Sequence, residues 1–110
     1  MIRITWSAQN QLEDLLRFYL VEKDRPDAAR RLSDDVAAAA RLIRADPNGG
    51  TSFPRPYPEL EWLAFQWIKS RIYWVSWRVL DGVPVVTNVF PEAADLGSRV
   101  RPDIEDARNW

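Results

Sequence analysis

Five residues near the middle of the chain, Asp46-Pro47-Asn48-Gly49-Gly50, constrain its fold more than any other feature. Proline cannot continue a helix and paired glycines terminate one, so this run ends whatever regular structure precedes it. Before it, apolar residues recur at the helical period of about 3.6; after it, they alternate at the strand period of 2. Helices therefore belong to the first half and an antiparallel sheet to the second. With 110 residues the chain has material for one hydrophobic core and not for two, which predicts a single α+β domain.

The elements follow from local pattern. Ile2, Ile4 and Trp6 alternate with polar residues and predict a first strand, with Ser7 placed as a helix N-cap. Leu12, Leu15, Leu16, Tyr19 and Leu20 mark one face of a helix over 8–22. Asp24-Arg25-Pro26-Asp27 ends it and opens another, because proline suits a first helical turn and aspartate complements the positive helix terminus. Ala29, Leu32, Val36, Ala39, Ala40 and Ile43 form the next apolar face, so the two helices make an antiparallel hairpin. Residues 51–58, with Pro54, Pro56 and Pro58, read as a stiff connector or as a binding edge presenting Arg55 and Tyr57. Strands are expected over 60–69, 72–80 and 83–90, with a type I′ turn at Asp81-Gly82. In the polar remainder, Leu96, Val100, Ile104 and Trp110 suit a short helix or a docking tail. The expected architecture is an N-terminal strand and helical hairpin packed on a three- to four-stranded antiparallel sheet (β-α-α-β-β-β). Residues 1–96 make the domain and 97–110 a variable tail.

Composition limits the chemistry. There is no Cys and no His, which removes thiolate metal sites, thiol nucleophiles and imidazole bases, and nothing calls for a cofactor or a metal. Fifteen basic against sixteen acidic residues leave a formal charge of −1, which argues against direct nucleic-acid binding and against an anionic membrane surface. The opening Met1-Ile2-Arg3-Ile4-Thr5-Trp6 has no apolar signal core, and no later run is long enough to cross a bilayer, so the expected location is the cytoplasm.

Six tryptophans are many for this length, and Trp62, Trp67, Trp74 and Trp77 fall close together. Successive strand residues point to opposite faces, so Trp74 and Trp77 cannot share one. With Trp77 under the helices, Trp74, Ser76 and Arg78 face the other side. Aromatics and arginine are what interface hot spots use, so Trp67, Trp74 and Arg78 are expected to form a partner-binding surface on an open sheet face. The same residues could stack single-stranded RNA, although such platforms carry positive potential and this region has little. On the second helix, Arg30, Arg41 and Arg44 are candidates for engaging an acidic partner, while Arg30 and Arg31 also suit pairs with Asp27, Asp34 and Asp35.

In order and spacing, the chain resembles the RelE/ParE superfamily of type II toxin–antitoxin toxins, and its ParE-like branch more closely. The resembling residues are Ile2-Arg3-Ile4-Thr5-Trp6-Ser7 with Leu12-Glu13-Asp14-Leu15, the Asp24-x-Pro26-x-Ala28-Ala29 junction, and Ile43-x-x-x-Pro47-x-x-Gly50. Arg71 to Val79 and Asp81-Gly82-Val83 with Val85-Val86-Thr87-Asn88-Val89 complete the set. The resemblance implies a small toxin neutralised by a cognate antitoxin, in a hetero-oligomer held by helix-in-groove contacts or strand addition. The ParE-like branch implies DNA gyrase as target and inhibition by binding. RelE-like relatives cleave mRNA on the ribosome with basic and aromatic residues, which would fall here to Arg71, Tyr73 and Arg78. Other basic positions of that branch correspond to Phe65 to Trp67 and to Pro91-Glu92, which are aromatic, amide, apolar or acidic. A non-toxic antitoxin-binding domain is the third reading.

Overall fold

The computed structural model describes residues 1–100 and the backbone of residues 107–109. Strand β1 (Arg3–Thr5) turns directly into helix α1 (Trp6–Arg17). The cap is Thr5 rather than Ser7: its hydroxyl accepts the Ala8 N–H at 3.1 Å, and the helix therefore starts earlier than expected. From Phe18 to Glu22 the helix widens into a π turn. The wider turn shifts the register, so Leu12, Leu15, Leu16 and Tyr19 pack against the core while Leu20 turns out to solvent. Helix α2 (Pro26–Ala45) opens on its proline and buries Ala28, Ala29, Leu32, Val36, Ala39, Ala40 and Ile43.

The breaker run ends α2, and Gly50 adopts φ 86°. A Cβ there would lie 2.7 Å from both the Trp67 carbonyl oxygen and the Trp77 ring, so only glycine fits. The strand expected from residue 60 begins later. Residues Pro58–Leu63 form a 3₁₀ turn closed by Ala64 in the left-handed region, and β2 is Gln66–Ser70. Strands β3 (Tyr73–Leu80) and β4 (Val83–Pro91) follow. Asp81 and Gly82 have φ of 52° and 77°, both positive as a type I′ turn requires. The last segments are the short helix α3 (Leu96–Arg99) and β5 (Ala107–Asn109).

The sheet order is β2-β3-β4-β1-β5. The β2-β3-β4 meander is antiparallel as expected. β1, however, joins β4 in parallel, Arg3 opposite Val85 and Ile4 opposite Val86, and β5 runs antiparallel to β1. The sheet is therefore mixed. Parallel pairing needs a long crossover, which the helical hairpin helps supply, and local periodicity carries no trace of it.

Two apolar layers flank the sheet. On the hairpin side, Ile2, Ile4, Tyr73, Val75, Trp77, Val86 and Val89 meet Leu32, Val36, Ala39 and Ile43 of α2. The opposite face is not open. Leu60 and Leu63 of the 3₁₀ turn, Phe65 and Leu96 of α3 gather with Trp67, Trp74 and Phe90 in a second core cluster. The domain boundary placed after residue 96 falls inside α3, whose Leu96 is fully buried in this second cluster, and Val100 packs against the same cluster. Ile104 and Trp110 lie outside the described residues. Among the described residues no helix is long and apolar enough to cross a membrane.

Candidate functional site

The tryptophans divide by strand parity. Trp77 faces the hairpin, and its indole N–H donates to the Pro47 carbonyl at 2.9 Å. Trp74 points the other way, opposite Phe90 and Lys69, and meets Trp67 edge to face with ring centroids 6.5 Å apart. Trp67 is 0% exposed and Trp74 only 9%. This corrects the expectation that both belong to an open partner-binding face. The 3₁₀ turn and α3 pack over them, and the segment after α2 runs beside β2, held by reciprocal backbone bonds of 2.8 Å between Thr51 and Trp67. Arg78 shares their side of β3, is half-buried and makes no ion pair among the described residues. Of the four clustered tryptophans, Trp62 is the one presented to solvent. Leu60 and Leu63, three apart on the 3₁₀ turn, point inward and leave it outside.

Between the two cores the strands carry a buried polar chain. The hydroxyls of Ser76 and Thr87 are 2.6 Å apart, and Asn88 Nδ2 donates to Ser76 Oγ at 2.9 Å. Gln11 of α1 donates to Asn88 Oδ1 at 3.2 Å and accepts the Val89 N–H at 2.7 Å. β1 pairs only with the first half of β4, so the Gln11 amide completes the ladder where β1 has ended.

Arg71, Tyr73 and Arg78 do not converge. Arg71 Nε binds Asp35 Oδ2 at 2.7 Å, with its guanidinium 5.9 Å from the Tyr73 ring centre. The Tyr73 side chain is buried on the hairpin side, its hydroxyl 2.8 Å from that of Tyr19. Burial first, and then the bond to Tyr19, push its ionisation upward, so it stays a neutral phenol. Arg78 lies on the other face of the sheet, away from both.

The outer face of α2 is different. Arg31 pairs with Asp27 at 3.4 Å and Asp35 is taken by Arg71, while Arg30, Arg41 and Arg44 make no ion pair among the described residues. Their spacing places them on one stripe with Asp34 and Ala37. A shallow groove of about 210 Å³ runs along Ala37, Ala40, Arg41 and Arg44.

Two larger clefts flank the sheet. One, of about 400 Å³, lies between α1 and the end of β4 and is lined by Gln11, Leu15, Phe18, Tyr19, Phe90 and Arg99. The other, of about 670 Å³, opens beside β2, where Arg55 and Pro56 face Trp67, Lys69, Trp74 and Glu92. Lys69 and Glu92 form an ion pair across its rim. The role of this cleft was the part of the site that strand alternation could not supply; the proline-framed Arg55 was its one signal. Among the described residues no group of three Asp or Glu side chains is placed to hold a metal ion. Comparison of the chain with protein-family models, with curated proteins and with solved structures finds no match.

Proposed function

We propose that this chain is the toxin of a type II toxin–antitoxin pair, a cytoplasmic protein neutralised by an acidic cognate antitoxin and acting by binding, with DNA gyrase as target. The observation that carries the reading is the arginine stripe of α2: Arg30, Arg41 and Arg44 are exposed cations without ion pairs among the described residues, and Arg41 and Arg44 line a groove floored by alanine. Small residues let a partner helix approach closely, and the cations suit carboxylates on it. The strand–helical hairpin–meander order is the one that the ParE-like resemblance implies. The separation of Arg71, Tyr73 and Arg78 on two faces of the sheet favours binding over ribosome-dependent RNA cleavage.

Induction of the chain alone in a bacterial host tests this. The expected result is growth arrest with filamentation and a DNA-damage response, loss of supercoiling by gyrase in the presence of purified chain, and rescue by co-expression of an acidic partner encoded beside the gene. Rapid translation arrest with cut mRNA would favour the nuclease reading, and an absence of any growth effect would sink the toxin assignment. Reversing Arg30, Arg41 and Arg44 to glutamate is expected to weaken antitoxin binding at least tenfold with the fold intact.

A further inference from the structure

We propose that the cleft between α1 and the end of β4 binds a small aromatic carboxylate. This site goes beyond the protein-binding reading above and stands independently of it.

The cleft exists because the sheet is one strand short at this place. β1 pairs with β4 only as far as Val86, so the last residues of β4 have no strand on that side. Gln11 takes up the Val89 N–H, and beside it lies a space of about 400 Å³, within the roughly 300–1,000 Å³ typical of ligand pockets. Its walls are largely apolar: Leu15 comes from α1, Phe18 and Tyr19 from the π turn, and Phe90 and Pro91 from β4. Phe18 and Tyr19 meet edge to face with ring centroids 5.5 Å apart, in a type of turn that recurs at functional sites. The Phe18 ring is 37% exposed, an aromatic side chain that the fold leaves open at the cleft.

Two polar groups on the lining are unspent. Asp14 is matched by Arg17 at 3.0 Å, whereas Arg99 of α3 is exposed and makes no ion pair among the described residues. The unmatched charge at the cleft is therefore positive. The second group is a hydroxyl. Tyr19 and Tyr73 hold two phenolic protons and share one hydrogen bond of 2.8 Å. Tyr73 is buried in the core, where a donor without an acceptor is costly, so Tyr73 donates and Tyr19 accepts. The Tyr19 proton is left for another acceptor, and Tyr19 is the half-buried member of the pair that lines the cleft. A carboxylate carried on an aromatic ring satisfies Arg99, the Tyr19 hydroxyl and the ring walls together.

The test is isothermal titration of the intact chain with naphthoate. Saturable binding of one ligand per chain is expected, weakened at least tenfold by Arg99→Glu and at least threefold by Tyr19→Phe. Replacing naphthoate by the neutral naphthamide should weaken it at least tenfold. Arg99 is exposed and Tyr19→Phe keeps the ring, so an unchanged circular dichroism spectrum shows that each variant has folded. Arg55→Glu, at the separate cleft beside β2, should leave the affinity as it is. Failure of naphthoate to bind overturns the site, as does an affinity that either variant or the amide leaves unchanged. Loss of binding in Arg55→Glu moves the ligand to the other cleft and overturns the site equally. None of these results touches the toxin assignment, which growth arrest on induction decides.

Discussion

Replacing Trp67 with alanine asks whether the far side of the sheet is core or surface. Trp67 is fully buried beside Phe65, Trp74 and Leu96. Truncating a buried tryptophan costs about 3–5 kcal/mol, and the lost edge-to-face contact with Trp74 belongs in the upper part of that range. One effect opposes it: the variant no longer buries an unpaired indole N–H, a group that costs about 1–3 kcal/mol. The net expectation is a loss of about 3 kcal/mol, a large share of the roughly 5–15 kcal/mol typical of a domain. With a urea dependence of about 2 kcal/mol per molar, the unfolding midpoint should fall by about 1.5 M. Urea titration followed by far-ultraviolet circular dichroism reads this directly. Trp67→Phe keeps a ring against Trp74 and removes the unpaired donor, so its cost should stay near 1 kcal/mol, about that of a tolerated core swap. Trp62→Ala is the surface control, because Trp62 is 71% exposed, and should stay within about 0.5 kcal/mol. A Trp67→Ala midpoint indistinguishable from wild type, or a Trp62→Ala loss as large as that of Trp67→Ala, would refute a closed second face.

Gly50→Ala meets both a φ of +86° and a 2.7 Å approach to Trp67 and Trp77, and should cost about 1–3 kcal/mol in a thermal melt, whereas Gly82→Ala, open on all sides, bears only the backbone term. Asn88→Ala strands partners on Gln11 and Ser76 and should cost about 1–3 kcal/mol; a double-mutant cycle with Gln11→Ala should return a coupling of at least about 0.5 kcal/mol, and simple additivity would show the chain is not a unit. Asp27 is held at about 2, below its ordinary 3.8, chiefly by the hydrogen bond from Arg25. Its folded value is the lower one, so its contribution is complete above the unfolded value and is lost as pH falls from about 4 towards 2. Asp27→Asn should flatten the stability profile in that window, by a small amount that salt suppresses because the pair is exposed; an unchanged profile would remove the pair from the account.

What the sequence made legible depended on how local the determining physics was. The helical hairpin, the breaker run, the Asp81-Gly82 turn and the opposite facing of Trp74 and Trp77 each follow from residues within a few positions of one another. The parallel insertion of β1 and the closure over Trp67 and Trp74 do not. Both depend on segments far apart in the chain, and the apolar pattern of residues 60–65 suits a strand as well as the 3₁₀ turn it forms. The π turn at Phe18 likewise turns Leu20 outward without any local signal. For the candidate site, the exposed arginines of α2 were legible from helical spacing. The cleft at β2 was not, since it arises only when residues 50–56 fold back beside the strand.

The place of β1 also bears on how the molecule comes into being. Arg3 lies opposite Val85, so β1 leaves the ribosome long before β4 and has no neighbour on that side until the intervening residues have followed. At roughly 5–20 residues per second that wait lasts about 4–16 s, far longer than a helical hairpin needs to form. Throughout it, Ile2, Ile4 and the inner faces of α1 and α2 lack the sheet that buries them. A chain cut short before β4 therefore offers proteases and chaperones a sticky helical fragment and never a smaller version of the fold. Completion is a late event, in which β1 is secured only once β4 has arrived.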